Sequence, residues 1–219
     1  MIRLEDLKKN EDVNILITRA DASLRALGYT EHSFAHVTKS AETAGYILRT
    51  LGYSERDVEL ARVAGYLHDI GNLVNRSEHS QSGAVMAFVL LSGMGMDMAD
   101  IADVTTAIGN HDEGNGVPVN PIAAALILAD KADVRRSRVR LAEGEEVDIH
   151  DRVNYSVEHS DLSISADKTA ILLSVTLNPA YGSVMEYFEI FMERMLLCRR
   201  AASSLGLRFG LVINDQTLL

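Results

Sequence analysis

The chain contains a single cysteine, Cys198, and therefore cannot form an intramolecular disulfide. Residues 1–10 mix charged and apolar side chains where a signal peptide would carry an apolar core. No window approaches the roughly 20 uncharged apolar residues that a membrane helix needs, since the run 123–129 leads directly into Asp130. These absences predict a protein of a reducing, cytoplasmic compartment with no evident secretion signal and no membrane span.

Basic residues are also in short supply. Lys and Arg number 21 against 31 Asp and Glu, which gives a formal net charge of -10. Proteins that coat nucleic acid neutralise its phosphates with Lys and Arg, so this balance argues against a nucleic-acid polymer as partner. The 47% of hydrophobic residues supply a core, because a chain of this size buries roughly 70% of its unfolded surface.

Residues 1–142 are predicted to form an all-α domain, because apolar residues recur there at helical spacing and several runs end at glycine. The longest such stripe predicts the buried face of one helix, formed by Val37, Ala41, Ala44, Leu48 and Leu51.

Residues 143–219 are predicted to form a small α+β domain, which begins at the polar break Glu143, Gly144, Glu145 and Glu146. Alternating apolar residues predict strands around 153–157 and 171–177, then a long helix over 181–205 and a last strand around 209–213. The fold class is therefore mainly α, with an α+β C-terminal domain expected to shape a substrate pocket or mediate formation of a homodimer.

The histidines and aspartates of the first domain fall near the ends of its predicted helices. Imidazole and carboxylate groups bind divalent metal ions, and helix bundles build metal sites from facing helices. Six candidate ligands exceed what one ion normally takes from protein, whereas two ions bridged by one carboxylate would use them all. The candidates are His36, His68, Asp69, His79, His111 and Asp130.

Asp130 is the clearest candidate on physical grounds alone. The preceding run 123–129 has no polar side chain, so Asp130 should be deeply packed. A buried carboxylate needs a partner, which can be an arginine, an amide or a metal ion.

The order of these residues resembles the HD-domain superfamily of metal-dependent phosphohydrolases. Its signature is a histidine, a His-Asp doublet and a distant aspartate. Here these are His36, the pair His68 and Asp69 in Leu-His-Asp-Ile-Gly-Asn, and Asp130 in Leu-Ala-Asp-Lys. The resemblance covers about residues 12 to 142 and implies a helical HD domain.

His79 and His111 resemble the additional histidines of HD branches that hold two metals, such as the HD-GYP phosphodiesterases. The resemblance implies that Asp69 bridges the two ions and that Asp69 and His68 are catalytic. The chain departs from the HD-GYP pattern at Asn110, which stands where a histidine is expected, and at Asn72, which replaces a lysine. The implied ligands of the first ion are His36, His68, Asp69 and Asp130, and those of the second are Asp69, His79 and His111.

The resemblance also implies the reaction. Two cations lower the pKa of a water molecule, orient the resulting hydroxide toward phosphorus and stabilise charge on the attacked group. The expected substrate is a small phosphate ester or anhydride, with a nucleotide favoured. Lys131 and Arg138, which follow Asp130 on what is predicted to be the same helix, and Asn72 are the candidate substrate-binding residues.

The same ligand set leaves two other functions open. Some HD relatives with di-iron centres activate oxygen, and an HD domain can bind nucleotide as a signalling module without turnover. Iron or manganese is the favoured metal for the site, while nickel, cobalt and zinc remain open.

Overall fold

The computed structural model describes residues 2–140 and 149–218. Helices dominate the first range, and a short 3-10 helix, Ile70–Leu73, follows the fourth of them. The helices are α1 (Leu4–Lys9), α2 (Glu11–Ala26), α3 (Phe34–Leu51), α4 (Glu55–Leu67), α5 (His79–Gly93), α6 (Met98–Gly109) and α7 (Pro121–Lys131).

Side-chain caps set the beginnings of the helices that carry the candidate ligands. Ser33 accepts a hydrogen bond from the backbone of Ala35 at the start of α3, and Asn120 accepts one from Ala123 at the start of α7. Such caps satisfy backbone N–H groups that have no partner within the helix. They fix where each helix begins, and hence which of its side chains face the centre of the bundle.

Helix α7 is the central element of the bundle. Each residue from Ile122 to Lys131 is buried, and α3, α4, α6 and a later helix all pack against it. The apolar run before Asp130 is therefore enclosed on all sides, as its composition predicts. Helix α7 ends at Lys131, so the prediction that Arg138 lies on the same helix is wrong. The chain leaves the helical path after Lys131, and the Asp133 carboxylate accepts a hydrogen bond from His36. Arg138 lies in a separate 3-10 helix, Arg136–Arg138.

The 3-10 helix packs closely against α5, and Gly71 makes this contact possible. A Cβ atom at Gly71 would lie 2.0 Å from the carbonyl oxygen of His79 and 2.4 Å from the backbone nitrogen of Gly83. Both neighbours are backbone atoms and cannot move aside without shifting α5. Glycine at this position thus holds the segment after Asp69 against the start of the helix that carries His79.

We expect Gly71→Ala to lower the free energy of unfolding by about 3 kcal/mol, because the added methyl group forces the two segments apart. Urea denaturation of metal-free protein measures this change. Gly93→Ala is the matched control, since a Cβ there meets nothing within 4 Å and should leave stability unchanged or raise it by up to about 1 kcal/mol. Equal stability changes in the two variants would contradict the close-contact explanation.

The second described range is the α+β part of the chain. It contains α8 (Ile149–Ser156), β1 (Val157–Ile164), β2 (Ala170–Leu177), α9 (Val184–Ser204), β3 (Arg208–Ile213) and β4 (Gln216–Thr217). The strands form one sheet in the order β1-β2-β3-β4, in which β1 pairs antiparallel with β2, β2 parallel with β3, and β3 antiparallel with β4. Helix α9 is the crossover between the parallel strands. The predicted mainly α fold with an α+β C-terminal part is confirmed.

The prediction of a strand over 153–157 is wrong, because helix α8 covers all but the last of these residues. Val153 and Val157 are both buried, and Tyr155 between them is partly exposed. Apolar residues four apart share one face of a helix as well as one face of a strand, so this short segment fits both patterns.

The predicted domain boundary at 142/143 and the polar break Glu143, Gly144, Glu145 and Glu146 lie outside the described residues. The division into domains therefore stays a prediction. Within 2–140 and 149–218, no helix combines the length and the apolar character needed to cross a membrane.

Candidate metal centre

The six predicted ligands come from five helices and converge at one end of the bundle. His36 lies in the first turn of α3, His79 is the first residue of α5, and Asp130 is the penultimate residue of α7. His68 and Asp69 follow the end of α4, and His111 follows α6. All six side chains are buried, with relative exposures of 8% or less.

His36, His68 and Asp130 form the first cluster. The Nε2 atom of His36 lies 3.3 Å from Nε2 of His68 and 3.3 Å from Oδ1 of Asp130. Asp69 joins this cluster through Oδ2, which is 3.1 Å from Nε2 of His68 and 3.4 Å from Nε2 of His36. These are the four residues predicted for the first ion.

His79 and His111 form a second cluster beside the first, with their Nε2 atoms 3.2 Å apart. The Oδ1 atom of Asp69 lies 3.7 Å from Nε2 of His79, and ligand atoms of His68, Asp69 and His111 lie within 4.8 Å of one another. One oxygen of Asp69 therefore faces each cluster, which is the arrangement that a bridging carboxylate requires.

The outer nitrogen of each imidazole is held by an acceptor, and this fixes the ring's tautomer. Three of the rings donate from Nδ1 to backbone carbonyl oxygens: His68 to Gly65 at 2.9 Å, His79 to Arg76 at 3.1 Å, and His111 to Ile108 at 2.6 Å. In His36, Nδ1 donates to Oδ2 of Asp133 at 2.8 Å. A neutral ring whose Nδ1 carries the proton presents a lone pair at Nε2, and all four Nε2 atoms point into the two clusters.

The charges of the site favour a bound cation. Burial lowers the pKa of His68, but the adjacent carboxylates Asp69 and Asp130 more than offset this and raise it to about 10. Burial alone would raise the pKa of Asp130, yet Lys131 and the neighbouring histidines hold it well below its ordinary value. The pKa of His111 is lowered well below its usual range by burial and by the charge of His68. The first cluster thus stabilises positive charge, and a metal ion binding there competes with protons.

These residues fit divalent metal ions. The Oδ2 atom of Asp69 is buried and has no hydrogen-bond partner of normal geometry among the described residues, although Nε2 of His68 and Nε2 of His36 lie 3.1 and 3.4 Å from it. Leaving a buried charge unsatisfied in this way is costly. Mixed imidazole and carboxylate donors suit first-row transition metals, so a cation is the partner that this arrangement lacks.

A cavity of about 550 Å³ opens onto the clusters. Its lining includes Asp69, His79, His111 and Asp130 from the predicted ligands, and the cationic side chains Arg76, Lys131, Arg138 and Arg194. Tyr29, which is 44% exposed, lies on the same cavity. The volume is within the range of about 300–1,000 Å³ that is typical of small-molecule sites.

The three predicted substrate-binding residues occupy different positions. Lys131 lines the cavity, with Nζ 2.7 Å from Oδ2 of Asp130 and 3.0 Å from Oε2 of Glu113. Arg138 also lines it, but donates to the carbonyl oxygens of Glu31 and Asp133. Asn72 is not among the described residues that line the cavity. Its amide nitrogen donates to Oδ1 of Asp69 at 2.9 Å and so orients the Asp69 carboxylate.

Sequence reasoning did not single out Arg76 or Glu113 and gave Arg194 no role. Arg76 lies 3.4 Å from Nε2 of His79, and Glu113 connects Lys131 with Arg194, which comes from α9. No local pattern marks them, since each is defined by contacts between distant segments. The contact between Asp133 and His36 is likewise visible only in three dimensions.

The fold and the site define a class: helical proteins that gather histidines and aspartates around divalent metal ions. Residues 33–138 match the family model of the HD domain. This match supports placing that part of the chain in the HD-domain superfamily. An HD domain supports a phosphohydrolase-type function in general, and together with the His/Asp clusters it implies binding of divalent metal.

The chain is also similar to individual proteins. It is 25% identical over 217 residues to an uncharacterized protein of Methanocaldococcus jannaschii, and the alignment covers 87% of this chain and 82% of that protein. It resembles the crystal structure of a predicted HD superfamily hydrolase from an uncultured Thermotogales bacterium, at 22% identity and a TM-score of 0.44, over 61% of this chain and 75% of that one.

Proposed function

We propose that the protein is a metal-dependent phosphohydrolase that acts on a small phosphate ester or anhydride, with a nucleotide as substrate. The observation that carries this proposal is the position of Asp69, whose two oxygens face two histidine clusters beside a cavity whose lining includes four cationic side chains among acidic ones. Iron or manganese fits the mixture of imidazole and carboxylate donors.

The chain's own residues then have separate tasks. His36, His68, Asp69 and Asp130 would hold one ion, and Asp69, His79 and His111 the other. When bound, such ions lower the pKa of water and stabilise negative charge on phosphoryl oxygens. Asn72 orients Asp69, and Lys131 balances part of the charge of Asp130.

The cavity would receive the rest of the substrate. Arg76 and Arg194 extend the positive lining beyond the ligands, and guanidinium groups bind phosphate through paired N–H donors. The partly exposed ring of Tyr29 offers a flat face for a nucleobase, with the Arg76 guanidinium 5.8 Å from the ring centroid.

The test is phosphate release by protein purified without chelator and reconstituted anaerobically with manganese or iron. The substrates are p-nitrophenyl phosphate, bis(p-nitrophenyl) phosphate and a panel of nucleoside mono-, di- and triphosphates. We expect turnover that EDTA abolishes and added metal restores. Metal-loaded protein that hydrolyses none of these compounds would contradict the proposal, and oxygen consumption with iron alone would favour an HD-type oxygenase.

A further inference from the structure

Helix α9 forms one wall of the cavity, although it lies outside the residues that match the HD domain. It packs against α7, the helix that carries Asp130, and its segment 189–194 faces the metal ligands across the cavity. The α+β part of the chain therefore contributes directly to the space in which a substrate binds.

Arg194 is the cationic residue on this wall. Its Nε atom donates to Oε1 of Glu113 at 2.8 Å, and its guanidinium lies 4.5 Å from the centroid of the Phe191 ring. The side chain is 24% exposed, so it is positioned by two contacts and still open to the cavity. Within the described residues, its terminal amino groups have no protein acceptor.

Two other cations near the ligands, Lys131 and Arg138, are more fully occupied than Arg194. Lys131 lies between the carboxylates of Asp130 and Glu113. Arg138 is 6% exposed and donates to two backbone carbonyls. Arg194 thus combines access to the cavity with donors that an anion can use.

Glu113 links Arg194 to the metal ligands. Its two oxygens contact Arg194 and Lys131 separately, and Lys131 in turn contacts Asp130. This chain of contacts places the guanidinium at a fixed position relative to Asp130. A fixed planar fork matches the oxygens of a phosphate group better than a flexible ammonium group does.

We propose that Arg194 binds the phosphate group of the substrate, so that the C-terminal helix completes the binding site of the HD domain. This inference rests on the proposed function and names a specificity-determining residue for it. Glu113 holds the guanidinium by Nε and leaves its terminal amino groups to the ligand.

The test is isothermal titration of inorganic phosphate into manganese-reconstituted protein, which requires no turnover. Arg194→Gln should weaken phosphate binding by about tenfold or more, the value of one good charge-assisted hydrogen bond. Arg199→Gln is the matched control, because Arg199 lies on the same helix, is exposed, and is not among the described residues that line the cavity. It should bind phosphate as the wild-type protein does.

Glu113→Gln separates ligand binding from a purely structural ion pair. If the pair only holds α9 in place, Glu113→Gln and Arg194→Gln weaken phosphate binding alike, and that result would overturn the proposal. If Arg194 binds phosphate, Glu113→Gln keeps an oxygen that can accept from Nε of Arg194, removes a nearby negative charge, and binds phosphate at least as tightly as wild type. Unchanged affinity in Arg194→Gln would also overturn it.

If Arg194→Gln does not fold, Arg194→Lys decides, since it keeps the charge but loses the fork. It should bind phosphate at least about threefold more weakly, and wild-type affinity would count against the proposal. The titration measures the contribution of Arg194 to phosphate affinity even if no phosphate compound is hydrolysed. Absence of turnover would contradict the proposed function, whereas unchanged phosphate affinity in the Arg194 variants would contradict this inference.

Discussion

For the proposed two-metal centre, Asp69→Asn is expected to lose both ions and to lower turnover by a factor of about 1,000 or more, because metal-supplied charge stabilisation is worth several kcal/mol in the transition state. Asp69 is the residue that approaches both histidine clusters, through Oδ2 on one side and Oδ1 on the other. An asparagine keeps the size of the side chain but has one oxygen and no charge, so it cannot bridge two cations. Elemental analysis and phosphate release measure the two effects.

Asp103→Asn is the control for this change, because Asp103 pairs with Arg56 on the surface, away from the cavity. It should retain wild-type metal content and turnover. Circular dichroism should show the same helical content in both variants. Full metal content or full turnover in Asp69→Asn would exclude Asp69 as the bridging ligand.

The sequence indicates the candidate ligands because each lies close to a recognisable helix end. Asp130 follows a run of apolar residues, and the structure buries that run within α7. His68 and Asp69 follow α4, and His79 begins α5. Helical periodicity places such residues on known faces, so their convergence follows once the helices pack as a bundle.

The substrate side of the site could not be predicted in the same way. Arg194 is separated from Glu113 by more than 80 positions in the sequence, and its local surroundings are those of an ordinary amphipathic helix. The contact depends on how α9 packs against α7, and the spacing of apolar residues in the sequence does not specify that packing. Arg138 was assigned to the wrong element for a related reason, since the helix ends where Asp133 contacts His36, 97 positions away.

The outer contacts of the imidazoles explain why the site needs more of the chain than its ligands. Three of the four rings are oriented by backbone carbonyls, which substitution of a side chain leaves in place. His36 alone among these four depends on a side chain, Asp133. Asp133 is therefore the position outside the ligands at which a single substitution acts most directly on the geometry of the metal centre.

We expect Asp133→Asn to weaken metal binding about 10- to 100-fold, the usual effect of removing the partner that orients a ligating histidine. Oδ2 of Asp133 accepts from Nδ1 of His36, while Oδ1 lies 3.0 Å from both Nζ of Lys39 and Nε of Arg135. An asparagine presents N–H donors on one of these two sides, so a donor faces a donor whichever way the amide turns. Because Asp133 is fully buried, metal-free protein should also lose about 3 kcal/mol of unfolding free energy.

Metal titration against a competing chelator and urea denaturation measure the two effects, and Lys39→Met provides the control. Lys39 contacts the same carboxylate but is 41% exposed, so its ion pair should contribute less than about 1 kcal/mol. Removing it leaves the hydrogen bond between Asp133 and His36 intact, and metal affinity should stay at the wild-type value. Equal losses of metal affinity in the two variants would show that Asp133 acts through the general charge balance of the site and not through the orientation of His36.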